Sequence, residues 1–193
     1  AVYAAFVRHH VLCFRDQGHL DDTEHQRFAT LLGPIVRHPP AGHANSVNVI
    51  DGQYSWARAS QWHSDVTFKA SYTRATLLRP VTLPSCGGDT MFANTVAAHE
   101  RLPAALKQLA GALRGVHSNM GEFVPYRPDF DSEENRKYAK QFQSVEFVTE
   151  HPLVRVIPET GESALVLGGH FRYFVGVTRE DSARLYQLFQ SFI

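Results

Sequence analysis

Residues 61–68 read QWHSDVTF, and this stretch is the most informative part of the sequence about fold and function. His63 and Asp65 are two positions apart in a β-prone run, so an extended strand would project both side chains from one face. An imidazole and a carboxylate on one face can bind the same divalent metal ion. A second histidine from elsewhere would complete a facial triad with open coordination positions, as in non-haem iron sites. The sequence therefore indicates that His63 and Asp65 can form part of a metal site.

The residues around this pair matter, because H-x-D alone occurs often by chance and is then most often a solvated surface turn. Trp62, Val66 and Phe68 surround the pair with apolar bulk. Burying an aspartate among such side chains is costly unless the carboxylate is paired or binds a metal. The context therefore favours a metal site over a surface turn.

A second informative segment is SCGGDTMFANTVAAHERLP, residues 85–103. It opens with a glycine pair suited to a tight turn, continues as a short β-prone run, and offers Asn94 or Thr95 as a helix cap. The plain interpretation is a turn, a strand and a helix. The functional interpretation is that the Thr90 hydroxyl binds an anionic ligand beside the metal.

The rest of the chain predicts a mainly β fold with flanking helices (α+β), as a sandwich or barrel. Helices are expected at 1–10, 21–33, about 95–111, near 132–141 and from Thr178 onward. Short apolar or β-prone runs lie between them: VLCF (11–14), VNVID, TRATLLRP (73–80), DTMFANT (89–95), ALRGVHS, HPLVRVIP and SALVLGG. The final helix ends without a stop signal, so we expect the C-terminal strands of the fold to be missing.

Composition excludes several classes of protein. The 19 basic and 19 acidic side chains give a formal net charge of +0, which does not suggest a nucleic-acid or membrane partner. No apolar run approaches the roughly 18 residues of a membrane-spanning helix. Cys13 and Cys86 lie in unlike contexts, so a disulfide framework is not expected and a reducing cytoplasm is the expected location. A zinc site is disfavoured, because no H-x-x-x-H or paired-cysteine spacing accompanies the H-x-D pair.

WHSDVTF followed by GGDTMFANTVAAHE resembles the taurine dioxygenase family, and within it the alkylsulfatase-like branch. The resemblance extends through RHHVLCFRDQ, LLGPIVRHP, GVHSN and HPLVRVIPETGESALVLGGHF, so it covers nearly the whole chain. It implies one dioxygenase domain over residues 1–193, truncated at both ends relative to the family. The implied fold is a double-stranded β-helix, or jelly roll, that lacks its C-terminal strands.

The same resemblance implies the cofactors. Fe(II) would be bound by His63, Asp65 and a distal histidine, with 2-oxoglutarate as a chelating cosubstrate. Its far carboxylate would be bound by Thr90 and a C-terminal arginine. Neither the distal histidine nor that arginine has a counterpart here, since His151 and His170 match family positions upstream of the missing ligand.

For the organic substrate, the resemblance places His38 near a sulfonate or sulfate group. It places three apolar residues in the pocket wall: Val66, Phe123 and Phe171. Each has a plainer explanation, as a loop histidine or as core residues. Ala41 and Ala59 stand where taurine-binding members have a tyrosine and an asparagine, which disfavours taurine and favours a longer or less polar sulfate ester or sulfonate.

The implied reaction hydroxylates the carbon next to a sulfate ester or sulfonate and releases sulfate or sulfite, an aldehyde, succinate and CO₂, in sulfur scavenging. O₂ and a small anionic organosulfur compound are the expected partners, and a homodimer or homotetramer is the expected assembly. Two alternatives stay open: a dioxygenase of aryloxyalkanoates or other small carboxylates, and a catalytically silent barrel that binds a small anion. The polar stretch 125–140 has the composition of a mobile lid.

Overall fold

A computed structural model describes residues 1–36, 61–120 and 144–193. The chain divides into two compact units, one formed by Ala1–Val49 and Ala75–Leu83 and the other by Ile50–Arg74 and Pro84–Ile193. The helix predicted near 132–141 and the lid predicted at 125–140 lie outside the described residues.

The described residues of the first unit contain two helices, α1 (Val2–His9) and α2 (Asp22–Thr30). Helix α2 begins where the sequence predicted, because the Asp21 side chain accepts a hydrogen bond from the Glu24 backbone N–H at 2.8 Å. Arg79 forms an ion pair with Asp22 and donates to the Leu20 carbonyl at 3.0 Å. These contacts tie segment 75–83 to the start of α2.

The strand predicted at residues 11–14 is wrong, since this run has no regular secondary structure. Phe14 is exposed, and its ring meets Phe28 of α2 edge-on at 5.8 Å between centroids. The apolar run therefore contacts a helix, which does not require the backbone pairing of a strand.

The second unit contains three helices and five strands among its described residues. The helices are α3 (Thr95–Glu100), α4 (Ala104–Ala112) and α5 (Arg179–Gln190), and the strands are β1 (Arg114–Ser118), β2 (Val148–Pro152), β3 (Val154–Val156), β4 (Ser163–Leu165) and β5 (Phe171–Phe174). One antiparallel sheet has the order β2-β1-β5, and β3 pairs with β4 in a second.

The helix predicted over about 95–111 is two helices, α3 and α4. The break falls at Pro103, which has no backbone N–H to donate and restricts the residue before it. Asn94 caps α3, as predicted, by accepting from the backbone N–H groups of Val96 and Ala97 at 3.0 Å. The proline, which is visible in the sequence, explains the division.

Two further predicted strands are wrong: residues 73–80 and 89–95 have no strand pairing in the described part of the chain. Several of their apolar side chains are exposed, for example Leu78 and Phe92 at 63% each. An extended run gains strand stability by pairing and burial, and these runs have no strand partner among the described residues.

The core of the second unit lies between the three-stranded sheet and α5. It is built from Phe174 and Phe189, which are fully buried, together with Phe171 and Leu153. Helix α5 is joined to β5 by the buried Ser182 hydroxyl, which accepts from the Phe174 backbone N–H at 2.8 Å. The observed sheets with flanking helices agree with the predicted α+β class. Within the described residues, no helix has the length and apolar character needed to cross a membrane.

Candidate metal-binding site

His63 and Asp65 converge, with 3.4 Å between His63 Nε2 and Asp65 Oδ1. They do so on a turn, so the prediction that they project from a strand is wrong. Residues 62–64 are irregular, residues 65–68 form a turn, and the Lys69 backbone N–H closes it on the Val66 carbonyl at 2.9 Å. The two side chains therefore come together where an irregular segment leads into this turn, without the predicted strand geometry.

Because His63 hydrogen bonds to the backbone through Nδ1, Nε2 is the ring nitrogen that could bind a metal. Its Nδ1 lies 2.9 Å from the Gln61 carbonyl oxygen, which can only accept, so Nδ1 carries the proton in the neutral ring. The lone pair of Nε2 then faces a carboxylate oxygen, and both side chains are partly exposed, at 35% and 40%. Two lone-pair donors facing each other are stabilised by a cation between them. The pair therefore suits a divalent metal with mixed nitrogen and oxygen ligands.

Two glycines contact the segment that leads into this turn. Gly168 has φ +125°, and a Cβ built on it would lie 2.5 Å from the Trp62 carbonyl oxygen and 2.9 Å from the His63 Cα. The next residue, Gly169, donates its backbone N–H to the same Trp62 carbonyl at 3.0 Å. Only glycine permits both this backbone conformation and this close approach.

The apolar side of the turn is buried. Val66 and Phe68 pack with Tyr72 and Phe147, and the Phe68 ring meets His170 edge-on at 4.9 Å. Val66 also has φ +51°, which is rare for a β-branched residue. The turn is thus anchored by its apolar residues while His63 and Asp65 stay accessible to solvent.

A buried polar layer below the turn was not predicted from the sequence. Thr67, His117 and His151 are only 2%, 1% and 8% exposed. His117 Nδ1 lies 3.0 Å from the Thr67 hydroxyl, and His151 Nε2 lies 2.8 Å from the Thr67 carbonyl oxygen. The available signal was a histidine at a core position of a predicted strand, in the GVHSN segment.

Burial keeps His117 neutral. Desolvation, followed by the charges of His151, His170 and Arg172, lowers the pKa of His117 from 6.5 to about 3. A charged imidazole at this position has lost its hydration and faces other cationic groups.

Of the other predicted site residues, the structure describes Thr90 and Phe171 in addition to Val66. Thr90 is exposed in an irregular segment, and its binding of an anionic ligand stays a prediction. Phe171 is buried in the core, stacked on Tyr186 at 5.2 Å between ring centroids. His38 and Phe123 lie outside the described residues. Within the described part of the chain, no three His, Cys, Asp or Glu side chains form a group that could hold a metal ion.

Comparison with known proteins identifies the family. The family described as "Taurine catabolism dioxygenase TauD, TfdA family" matches residues 1–193. The chain is 43% identical to an alpha-ketoglutarate-dependent sulfate ester dioxygenase of Pseudomonas putida, over 100% of this chain and 65% of that protein. It is 42% identical to an alkylsulfatase of Acinetobacter baylyi, over 98% of this chain and 60% of that one.

Among solved structures, a taurine dioxygenase from Burkholderia xenovorans superposes with a TM-score of 0.63 at 33% sequence identity, over 90% of this chain and 55% of that one. The chain thus spans less than two thirds of the length of each of these relatives. The match over residues 1–193 and the identity to these relatives show that the chain belongs to the TauD/TfdA dioxygenase family.

Proposed function

We propose that this protein is an Fe(II)- and 2-oxoglutarate-dependent dioxygenase that hydroxylates the carbon next to a sulfate ester or sulfonate. The observation that carries the proposal is the convergence of His63 Nε2 and Asp65 Oδ1 at 3.4 Å on an anchored turn. The substrate class is supported by the 43% identity to a relative named for a sulfate ester. The chain would adopt the jelly roll of its family.

His63 and Asp65 are the proposed iron ligands, and a distal histidine, for which residues 1–193 show no family counterpart, is the proposed third. The Gln61 carbonyl fixes the His63 ring by accepting from Nδ1, which leaves Nε2 free of a proton. When bound, iron and 2-oxoglutarate supply the oxidation, in which O₂ converts the cosubstrate to succinate and CO₂ and hydroxylates the substrate.

The remaining proposed roles concern binding and the exclusion of water. The Thr90 hydroxyl donates to the far carboxylate of 2-oxoglutarate, and its exposure leaves it accessible to a ligand. His38 binds the sulfate or sulfonate group of the substrate. Apolar residues line the pocket and keep water from the reacting carbon: Val66, Phe123 and Phe171. Because Phe171 is buried against Tyr186, its proposed role is to support the wall from behind.

The product chemistry follows from the position of hydroxylation. A carbon that bears both a hydroxyl and a sulfate or sulfonate group collapses to an aldehyde with loss of sulfate or sulfite. The physiological outcome would be the release of inorganic sulfur from an organic compound. The chain needs no residue for this collapse beyond those that orient the substrate.

Succinate formation tests the proposal. The complete protein is supplied with Fe(II), 2-oxoglutarate and O₂, together with a linear alkyl sulfate, an aryloxyalkanoate or no substrate. Of these three conditions, we expect only the alkyl sulfate to give succinate. The amount of succinate should match the amounts of aldehyde and sulfate formed. Succinate driven by the aryloxy acid would instead identify a carboxylate substrate, and no succinate with any compound would indicate a silent binding protein.

A further inference from the structure

The turn at residues 65–68 is held by contacts at Thr67, in addition to the glycine contacts to the segment before it. Thr67, two residues after Asp65, is bound twice: its hydroxyl by His117 Nδ1 at 3.0 Å and its carbonyl by His151 Nε2 at 2.8 Å. His151 Nε2 also lies 3.1 Å from the Lys69 carbonyl oxygen. Since both carbonyls can only accept, His151 Nε2 carries the proton and donates.

The two histidines come from adjacent strands, so their positions are fixed by the sheet. In the antiparallel pairing of β1 with β2, Gly115 is opposite His151 and His117 is opposite Thr149. Both rings therefore lie on one sheet face as diagonal neighbours, 5.3 Å apart between centroids. Gly115 makes room beside them for the Phe171 ring, which meets His117 edge-on at 5.8 Å.

Val66 lies between the proposed ligand Asp65 and the doubly bound Thr67, and its backbone is strained. Its φ of +51° is in the left-handed region, which a β-branched side chain disfavours. Such a conformation persists only where the surrounding structure enforces it. Relaxation of Val66 would rotate the peptide that joins it to Asp65 and so redirect the carboxylate.

We propose that Thr67, His117 and His151 are positioning residues that hold Val66 in its left-handed conformation and thereby aim the Asp65 carboxylate at His63 Nε2 before any metal binds. This inference rests on the proposed iron site. It assigns to the buried histidines a function that requires no contact with metal or substrate. The turn is pre-organised, so metal binding does not have to pay for ordering it.

The test uses the complete protein with Co(II) as the probe metal. Thr67→Val keeps the shape of the side chain and removes the hydroxyl, whereas Thr67→Ser keeps the hydroxyl. We expect Thr67→Val to bind Co(II) about tenfold or more weakly and Thr67→Ser to bind it nearly as the wild type does. Thr160→Val, at an exposed hairpin hydroxyl, is the matched control and should not change the affinity.

A second substitution separates positioning from general loss of stability. Glycine adopts positive φ without strain, so Val66→Gly added to Thr67→Val should restore most of the lost Co(II) affinity. A purely structural defect would instead become worse, since glycine also removes a buried side chain. On metal-free protein, hydrogen exchange of the Lys69 amide, which closes the turn on the Val66 carbonyl, should be faster in Thr67→Val.

The outcomes are distinguishable. Wild-type Co(II) affinity and unchanged Lys69 exchange in Thr67→Val would overturn the positioning role, as would failure of Val66→Gly to restore binding. A wild-type protein that binds no Co(II) would contradict the proposed function. In that case the Lys69 exchange still decides whether Thr67 holds the turn.

Discussion

At the residue scale, the predicted pair His63 and Asp65 does come together, but through a turn that the sequence did not predict. A run of β-branched and aromatic residues such as Val66-Thr67-Phe68 favours a strand by its local preferences. The left-handed conformation of Val66 contradicts those preferences, and it depends on hydrogen bonds from residues far along the chain. Such contacts between distant residues cannot be predicted from local sequence patterns. The proximity of His63 and Asp65 could therefore be predicted, whereas the backbone conformation beside them could not.

Gly168 allows a direct test of how closely the turn is held. Gly168→Ala places a methyl group 2.5 Å from the Trp62 carbonyl oxygen and 2.9 Å from the His63 Cα, so the turn must move. We expect loss of most metal affinity and destabilisation by about 1–3 kcal/mol, measured by metal titration and thermal unfolding.

The matched control is Gly176→Ala, which also introduces a side chain at positive φ, here +79°, but meets no atom within 4 Å. It should cost about 1–2 kcal/mol of stability and leave metal binding intact. Equal metal affinities in the two variants would show that the contact between Gly168 and the turn is unimportant for the site.

The buried His117 should make the stability of the fold sensitive to acid. Because its pKa falls from 6.5 in the unfolded chain to about 3 in the folded one, only the unfolded chain binds this proton between those pH values. Stability should therefore decrease as the pH falls from 6.5 toward 3, by about 1.4 kcal/mol per pH unit from this residue. Urea unfolding across this range measures the slope.

His117→Asn is the test variant, since an amide can still hydrogen bond to Thr67 but does not titrate in this range. It should lower stability at neutral pH and reduce the acid slope. His19→Asn, at an exposed histidine, should leave the slope as it is. An unchanged slope in His117→Asn would mean that His117 is not the group responsible.

At the element scale, helices with clear caps were predicted well and isolated strands were not. Asp21, Asn94 and Thr178 each accept a backbone N–H at the start of a helix, and each lies at or next to a position where the sequence predicted a helix to begin. The runs at 73–80 and 89–95 have strand-like composition but no strand pairing in the described part of the chain. A helix cap is a contact within a few residues and can be predicted from the local sequence. Strand pairing depends on a partner that is distant in the sequence, and the local pattern does not identify it.

Ser182 is the contact that joins α5 to the sheet, and its removal should be costly. Ser182→Ala leaves the buried backbone N–H of Phe174 without its acceptor, which should destabilise the fold by about 1–3 kcal/mol in urea unfolding. Ser191→Ala removes an exposed hydroxyl that donates to the Leu188 carbonyl at the end of the same helix. It should change stability by less than about 0.5 kcal/mol. Similar losses in the two variants would contradict the role assigned to Ser182.

At the scale of the whole molecule, the sequence motifs led to the correct family, whose match covers residues 1–193. They were sufficient because metal ligands and close-approach glycines are constrained in residue type as well as in position. The placement of Thr90 relative to the pair was less predictable, since it follows an irregular segment whose path depends on tertiary contacts. Identity to relatives of known name supports the proposed substrate class. His38 and Phe123, whose proposed roles bear on the particular substrate, lie outside the described residues.

Anaerobic titration of the complete protein with Fe(II) and 2-oxoglutarate measures whether His63 and Asp65 bind iron. We expect the weak visible charge-transfer band of the iron-bound cosubstrate in the wild type and its loss in His63→Ala and Asp65→Ala. Because both side chains are partly exposed, these variants should keep wild-type thermal stability to within about 0.5 kcal/mol. A wild-type protein that shows no band, or folded variants that retain it, would show that His63 and Asp65 do not bind iron.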